Sequence, residues 1–403
     1  MPSIACTSLE TVAGAPLPRR GHALATAIPG GVVAWEGETI TYAGPRDGWG
    51  SEPDEVLSGA AVLPGFVDCH THLPFAGWRD DEYEARLRGS TYRDQHGRGG
   101  IPRSSRMLAE ATDEEVLAFC RPLLAEMLAH GTTALEMKTG YGLSVEAELR
   151  QARLARRLAG EIPQTATVTL LAGHAVPEGM HRRDWVRAAC EELIPTAAAE
   201  GLVDAVDVYV EDIAFTIEDL RDIAYAGFAA GLPVRCHADQ LAASSAAEVA
   251  AALGLRSADH LNHVADAGVT ALGRGETAAV LLPASTLMMR SLPPPATRLL
   301  DAGAALALAS DCNPGTSPVV SMPEVIALGC ALYGLDPADA LVAATANPAW
   351  VLGLHERLGT LEAGKRADLV VVEGEAFRAV PYRPGHNPVR RVVVGGETVH
   401  RKP

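Results

Sequence analysis

PGFVDCHTH, residues 64–72, is the stretch of this 403-residue chain from which the fold can be read. The apolar run it completes, GAAVLPGFV (59–67), reads as a fully buried strand. A strand sends successive side chains to opposite faces, so His70 and His72 point the same way and their imidazoles can close on one metal ion. H-x-H also arises by chance among 13 histidines, and two polar residues at a strand end are the plain alternative. Burying two imidazoles there without a partner is costly, which favours the metal.

From Gly65 to about residue 312, short β-rich apolar runs alternate with alanine-rich amphipathic stretches. Eight runs stand out: 65–72, 132–138, 165–174, 203–211, 233–239, 257–261, 277–283 and 304–311. Between them lie helix-forming segments such as SVEAELRQARLARRLAG (144–160), TIEDLRDIAYAGFAAG (216–231) and AAEVAAALG (246–254), each ending at glycine. Strict alternation implies a parallel sheet, and eight units in one domain imply a closed (β/α)8 barrel of the TIM type. An open doubly wound sheet is the rival, but no glycine-rich phosphate loop follows an early strand.

Both chain ends differ in texture. GVVAWEGETITYAG (31–44), KRADLVVVEG (365–374) and VRRVVVGGETVH (389–400) carry turn glycines and no helical period. The expected organisation is an α/β chain with residues 1–63 and 357–403 forming one small β-sandwich domain and residues 64–356 forming the barrel. Residues 73–106 make a long glycine- and arginine-rich excursion above the first strand, and such lengths are usually functional or disordered.

A formal net charge of −16 argues against nucleic acid and anionic membranes as partners, so an anionic substrate needs a local cation. The N-terminus lacks a signal-peptide core and no apolar run is long enough to span a bilayer, which makes the cytoplasm the expected location. Seven scattered cysteines without C-x-x-C read as reduced thiols.

Active sites of such barrels form at the C-terminal strand ends. There stand His70 and His72, Glu136 and Lys138, His174, Glu211, His237 and Asp239, His260, and Asp311. Three histidines and one carboxylate from the first, fifth and eighth strands make an N3O site for a divalent transition metal, with a position left for water. Cys69, Cys236 and Cys312 adjoin these positions. Alternation turns Cys69 and Cys236 to the opposite face, and core filling is the expected role of all three.

PGFVDCHTHLPFAGWRDDEYEARLRGSTY (64–92), EMKTGYGLSVEAELRQARLARRL (136–158), LAGHAVPEGM (171–180), RCHADQ (235–240), SADHL (257–261) and SDCNPGTSP (310–318) resemble the imidazolonepropionase family of the amidohydrolase superfamily. The resemblance runs from about residue 64 to 370, and GTLEAGKRADLVVVEG (359–374) is similar to the superfamily's return into its β-sandwich. It implies an enzyme holding one zinc or iron ion per chain, which opens the cyclic amide of 4-imidazolone-5-propanoate to N-formimidoyl-L-glutamate in histidine degradation. Carried over by motif, the metal ligands are His70, His72, His237 and Asp311. Substrate contacts are Arg79, Tyr92, Tyr141, His174, Gln240, Asn313, Gly315 and Thr316. Asp311 and His260 manage protons and oxyanion as metal-activated water attacks the ring carbonyl. Arg79 grips the propionate, the other reading of Arg79 being a solvated loop charge. The implied partner is a small anionic heterocycle, and large barrels of this superfamily often pair, so a homodimer is expected.

Two departures bear on the substrate. Deaminases of the superfamily carry a proton-shuttling glutamate three residues after the fifth-strand histidine, where this chain has Gln240. LLPASTLMMRSLPPP (281–295) lacks the aromatic expected after the seventh strand. The alternatives are therefore another amidohydrolase acting on a different cyclic amide or on an aromatic ring, a two-metal enzyme bridged by Glu211, and a non-catalytic barrel with a relic site.

Overall fold

The structure, a computed structural model, describes residues 1–14, 16–24, 27–95 and 99–402. The strands are β1 (Ser3–Glu10), β2 (Ala27–Pro29), β3 (Val32–Glu36), β4 (Thr39–Gly44), β5 (Glu55–Pro64), β6 (Phe66–Asp68), β7 (Thr132–Lys138) and β8 (Thr165–Gly173). They continue as β9 (Ala205–Val210), β10 (Val234–Ala238), β11 (Ser257–His260), β12 (Ala278–Leu281), β13 (Leu306–Leu308), β14 (Leu369–Glu373), β15 (Val389–Val394) and β16 (Glu397–Arg401).

β6 to β13 form a parallel sheet in sequence order, as the eight apolar runs imply. Strands such as β7 and β10 are buried along their whole length, because helices cover the outer face and side chains fill the inner one. The two ends of the sheet meet through backbone bonds just beyond the first and last strands. Asp311 N donates to His70 O at 2.9 Å and His72 N donates to Cys312 O at 2.9 Å, around a parallel bridge between Thr71 and Cys312.

β6 stops at Asp68 and β13 at Leu308, both short of the runs read from sequence. The chain leaves the ladder there to place His70, His72 and Asp311, and Asp311 takes φ 55°, a conformation a regular strand does not allow. The 144–160 segment forms a helix that passes through Gly160 and ends at Glu161, so that glycine is not its terminator. Residues 73–106 are not a bare loop: they carry α1 (Asp80–Leu87), α2 (Tyr92–Gln95) and most of α3 (Gly100–Glu110).

The chain ends build a second sheet, ordered β16-β15-β14-β5-β1-β3-β4 with β2 on β1. It encloses its own apolar core, including Ile4, Leu9, Val33, Ile40, Val62, Leu369 and Val393. β1 lies in the interior of this sheet, parallel to β5 and antiparallel to β3, yet its sequence SIACTSLE gives little hydropathic signal. Its buried small polar residues are satisfied locally, as when Ser3 Oγ donates to Asp54 Oδ2 at 2.8 Å. No helix among the described residues is long and apolar enough to cross a membrane.

Candidate active site

The strand ends of the barrel surround a pocket of about 350 Å3. Its walls are His72, Arg79, Tyr92, Tyr141, His174, His237, Gln240, His260, Asp311, Asn313 and Thr316, joined by Ile101 and Tyr209. His70 lies beneath, fully buried.

His70 Nε2 stands 3.3 Å from His72 Nε2 and 3.6 Å from Asp311 Oδ1, while His72 Nε2 stands 3.3 Å from Asp311 Oδ1 and 3.4 Å from His237 Nε2. Donors around a tetrahedral ion with bonds of about 2.0–2.1 Å are about 3.3–3.4 Å apart, so this set fits a first-row divalent metal. His260 offers a ring nitrogen on the His70 and His237 side of the same cluster. The imidazoles are oriented from behind: His70 Nδ1 meets Asp259 Oδ2 at 2.6 Å and His237 Nδ1 meets Asp207 Oδ1 at 3.2 Å. With Nδ1 engaged by a carboxylate, Nε2 is left as the lone-pair nitrogen facing the pocket. Lys138 Nζ anchors Asp207 Oδ2 at 2.6 Å and lies 2.8 Å from Glu136 Oε2, and Arg235 pairs with Glu136 in turn. Glu136 and Lys138 are thus a fully buried layer under the site rather than part of its wall.

Burial holds His70 and His174 well below the ordinary histidine range, lowers His72, and brings His260 down to about 3. All four are therefore neutral at pH 7, with lone pairs available to a cation or a substrate proton. Burial pulls the Asp311 carboxyl upward, but the His72 hydrogen bond and the neighbouring imidazoles outweigh it and keep Asp311 ionised. Burial raises Tyr92, Tyr141 and Tyr209, so each keeps its proton.

His174 Nδ1 bonds Gly140 O at 2.9 Å, and its ring stacks on His72 with centroids 5.2 Å apart. Gly140, at φ 112°, has room for no side chain: a Cβ would meet His174 Nδ1 at 2.8 Å. Arg79 is buried under the cover segment, and its Nε and Nη1 have no hydrogen-bond acceptor among the described residues; Glu82 Oε2 is 3.6 Å from Nε. Asn313 Oδ1 closes the turn after β13 by accepting from Gly315 N at 2.9 Å and Thr316 N at 2.7 Å. Gly315 lies outside the pocket wall, its Cα packed on the Arg79 guanidinium so closely that a Cβ would overlap it. Glu211 Oε1 accepts from Gln240 N at 2.7 Å and Leu241 N at 2.8 Å, turned into the loop after β10. Cys69, Cys236 and Cys312 are fully buried among apolar side chains.

Asp207, Asp259 and Tyr209 were not picked out by sequence reasoning. Asp207 and Tyr209 on β9 and Glu211 just past its end are spaced i, i+2, i+4, and that alternation was the available signal for the first two. Tyr209 then stands beside His237 in register, with ring centroids 5.7 Å apart.

Comparison with known proteins agrees with this geometry. Residues 61–399 match the family described as the amidohydrolase family. An imidazolonepropionase of Rhizorhabdus wittichii is 42% identical over 376 residues, covering 92% of this chain and 94% of its own. One of Geobacillus kaustophilus is 38% identical over 405 residues, covering 97% of this chain and 96% of its own. An adenosine deaminase of Xanthomonas campestris, solved with bound zinc, has a TM-score of 0.71 at 20% identity, covering 98% of this chain and 92% of that one, which speaks for the shared fold. A closed barrel with a histidine and aspartate cluster at its mouth, and relatives alike over almost its whole length, place this chain in the amidohydrolase family, among the imidazolonepropionases.

Proposed function

We propose that this chain hydrolyses the cyclic amide of 4-imidazolone-5-propanoate to N-formimidoyl-L-glutamate, a step of histidine degradation. One observation carries the reading: four donors spaced for a metal ion share a pocket with a buried guanidinium whose Nε and Nη1 have no hydrogen-bond acceptor among the described residues. His70, His72, His237 and Asp311 would hold one ion, zinc or iron, since imidazole and carboxylate suit both. Bound there, the ion supplies Lewis acidity to the ring carbonyl and acidifies water.

The remaining work belongs to the chain. Arg79 pairs with the propionate, with the Tyr92 hydroxyl beside it. Tyr141, His174 and Gln240 orient the ring, and Asn313, Gly315 and Thr316 shape the turn beneath the carboxylate. A carboxylate oxygen of Asp311 takes a proton from the attacking water and returns it to the ring nitrogen. His260, neutral, donates its N–H to the oxygen that gains charge. Water adds to the carbonyl carbon and the carbon–nitrogen bond breaks, leaving a carboxylate and an N-formimidoyl group.

Gln240 supports ring opening over aromatic deamination, because an amide orients a substrate but does not shuttle protons. Glu211 is engaged by two backbone N–H groups, which favours one ion over two. The organisation we propose is a catalytic barrel at 64–356 carried by a β unit from 1–63 and 357–403. Seven unpaired cysteines suit the cytoplasm, and a homodimer is proposed from the habit of large amidohydrolase barrels.

The test is an assay on freshly generated imidazolone propionate, following loss of ring absorbance with and without chelator, beside metal analysis. Chelator-sensitive turnover with about one ion per chain is expected. Turnover confined to another cyclic amide would replace the substrate, and about two ions per chain would replace the single-ion site.

A further inference from the structure

We propose that Arg86 is a positioning residue for the Arg79 guanidinium, acting through the Gly315 carbonyl. The inference rests on reading Arg79 as the group that binds the substrate carboxylate. Arg86 is buried, 9% exposed, yet among the described residues its guanidinium forms no ion pair with a carboxylate. Its Nη2 donates to Gly315 O at 2.6 Å and its Nη1 to Gln95 Oε1 at 3.0 Å. Placing a buried cation against a peptide carbonyl and an amide is an expensive arrangement, and it fixes geometry more than it adds stability.

The consequence lies at Gly315. Its N–H is tied to Asn313 Oδ1 and its carbonyl to Arg86, so the peptide is held at both polar groups, and the Arg79 guanidinium rests on its Cα. Arg79 is also tied to this turn by its backbone, N to Pro314 O at 2.9 Å. At the other end, Gln95 Nε2 donates to Glu82 O at 2.8 Å, fastening the end of α2, the helix that carries Tyr92, to α1. Arg86 thereby hydrogen-bonds both the turn bearing Asn313 and Thr316 and the helix bearing Tyr92. Releasing it lets the turn and the guanidinium shift, while the side chains of the four metal donors, none of which Arg86 touches, keep their own contacts.

The experiment compares kcat and KM of Arg86→Gln, Arg86→Lys and Arg79→Gln on imidazolone propionate and on the propionamide of the same ring, with bound metal measured throughout. Arg86→Gln is expected to raise KM for the propionate roughly tenfold to a hundredfold, the usual range for a lost charged hydrogen bond, with kcat changed much less. Arg86→Lys should recover part of this, because an ammonium reaches Gly315 O but does not span to Gln95 as well. On the propionamide Arg86→Gln should behave like the parent, and metal content should not change. An unchanged KM for the propionate, or an equal rise on both substrates, overturns the inference. If Arg79→Gln is also silent, the carboxylate reading itself fails; if Arg79→Gln raises KM and Arg86→Gln does not, only the positioning role fails. Should circular dichroism show Arg86→Gln unfolded, Arg86→Lys and Gln95→Ala carry the comparison, and no rise in KM confined to the propionate overturns it.

Discussion

On the proposed reading the pocket has a metal half and a carboxylate half, and they are held in place by different means. In the metal half His70 and His237 sit at strand ends with Asp259 and Asp207 behind them, and Lys138 and Glu136 brace that layer from below. In the carboxylate half Arg79 stands just before α1 and Tyr92 opens α2, outside the barrel ladder, joined to the turn after β13 by a few long-range hydrogen bonds. The first half is braced by buried carboxylates and ion pairs within the barrel itself. The second leaves Arg79 Nε and Nη1 without acceptors among the described residues, which suits the anion proposed for it. Substitutions in the first half should therefore act on metal and rate, and substitutions in the second on substrate affinity.

The largest effect belongs to Asp311→Asn, which removes both the proposed metal donor and the proposed proton acceptor. Turnover should fall by about a thousandfold, in the range of a lost general base, with the circular dichroism of the parent retained. Turnover near the parent value would remove Asp311 from the chemistry. Next comes Asp259→Asn, which leaves His70 in place but takes the carboxylate from behind it. Metal affinity, read by chelator competition, should weaken about 10- to 100-fold. Arg79→Gln should leave that affinity unchanged, and equal losses of metal in the two variants would erase the distinction between the halves.

The same contrast governs what could be read from the sequence. His70, His72, His237 and Asp311 could be grouped from the sequence because eight alternating units fix which end of each strand bears the site, and Asp311 ends the last run. Asp259 was not, because His260 leaves strand geometry at φ 77° and the alternation that would pair Asp259 with a partner across the barrel is lost. β1 was missed because Ser3, Ser8 and Glu10 fill buried positions that hydropathy assigns to solvent. Arg79 was visible only as one arginine among several in 73–106, and its isolation from acceptors depends on Gly315 arriving from more than 200 residues away. Sequence periodicity carries information along one element, whereas the carboxylate half is made by two segments meeting.

The smallest effect tests a soft point in the metal half. Glu211 is buried with Oε1 bonded to two backbone N–H groups and Oε2 without a partner among the described residues. Burial outweighs those bonds and raises its pKa from 4.5 to about 7. The folded chain therefore binds this proton more tightly than the unfolded chain, so the associated stability is fully present below about pH 4.5 and is lost as pH rises through 7. Over that window the loss is at most about 3 kcal/mol. Glu211→Gln keeps an acceptor for Gln240 and Leu241 but does not ionise, so its stability by urea unfolding should vary less between pH 5 and pH 8 than the parent's. At pH 8 the variant should be the more stable of the two. A pH slope equal to the parent's would mean that Glu211 is already solvated in the folded chain, and the metal half would then be open to water at the end of β9.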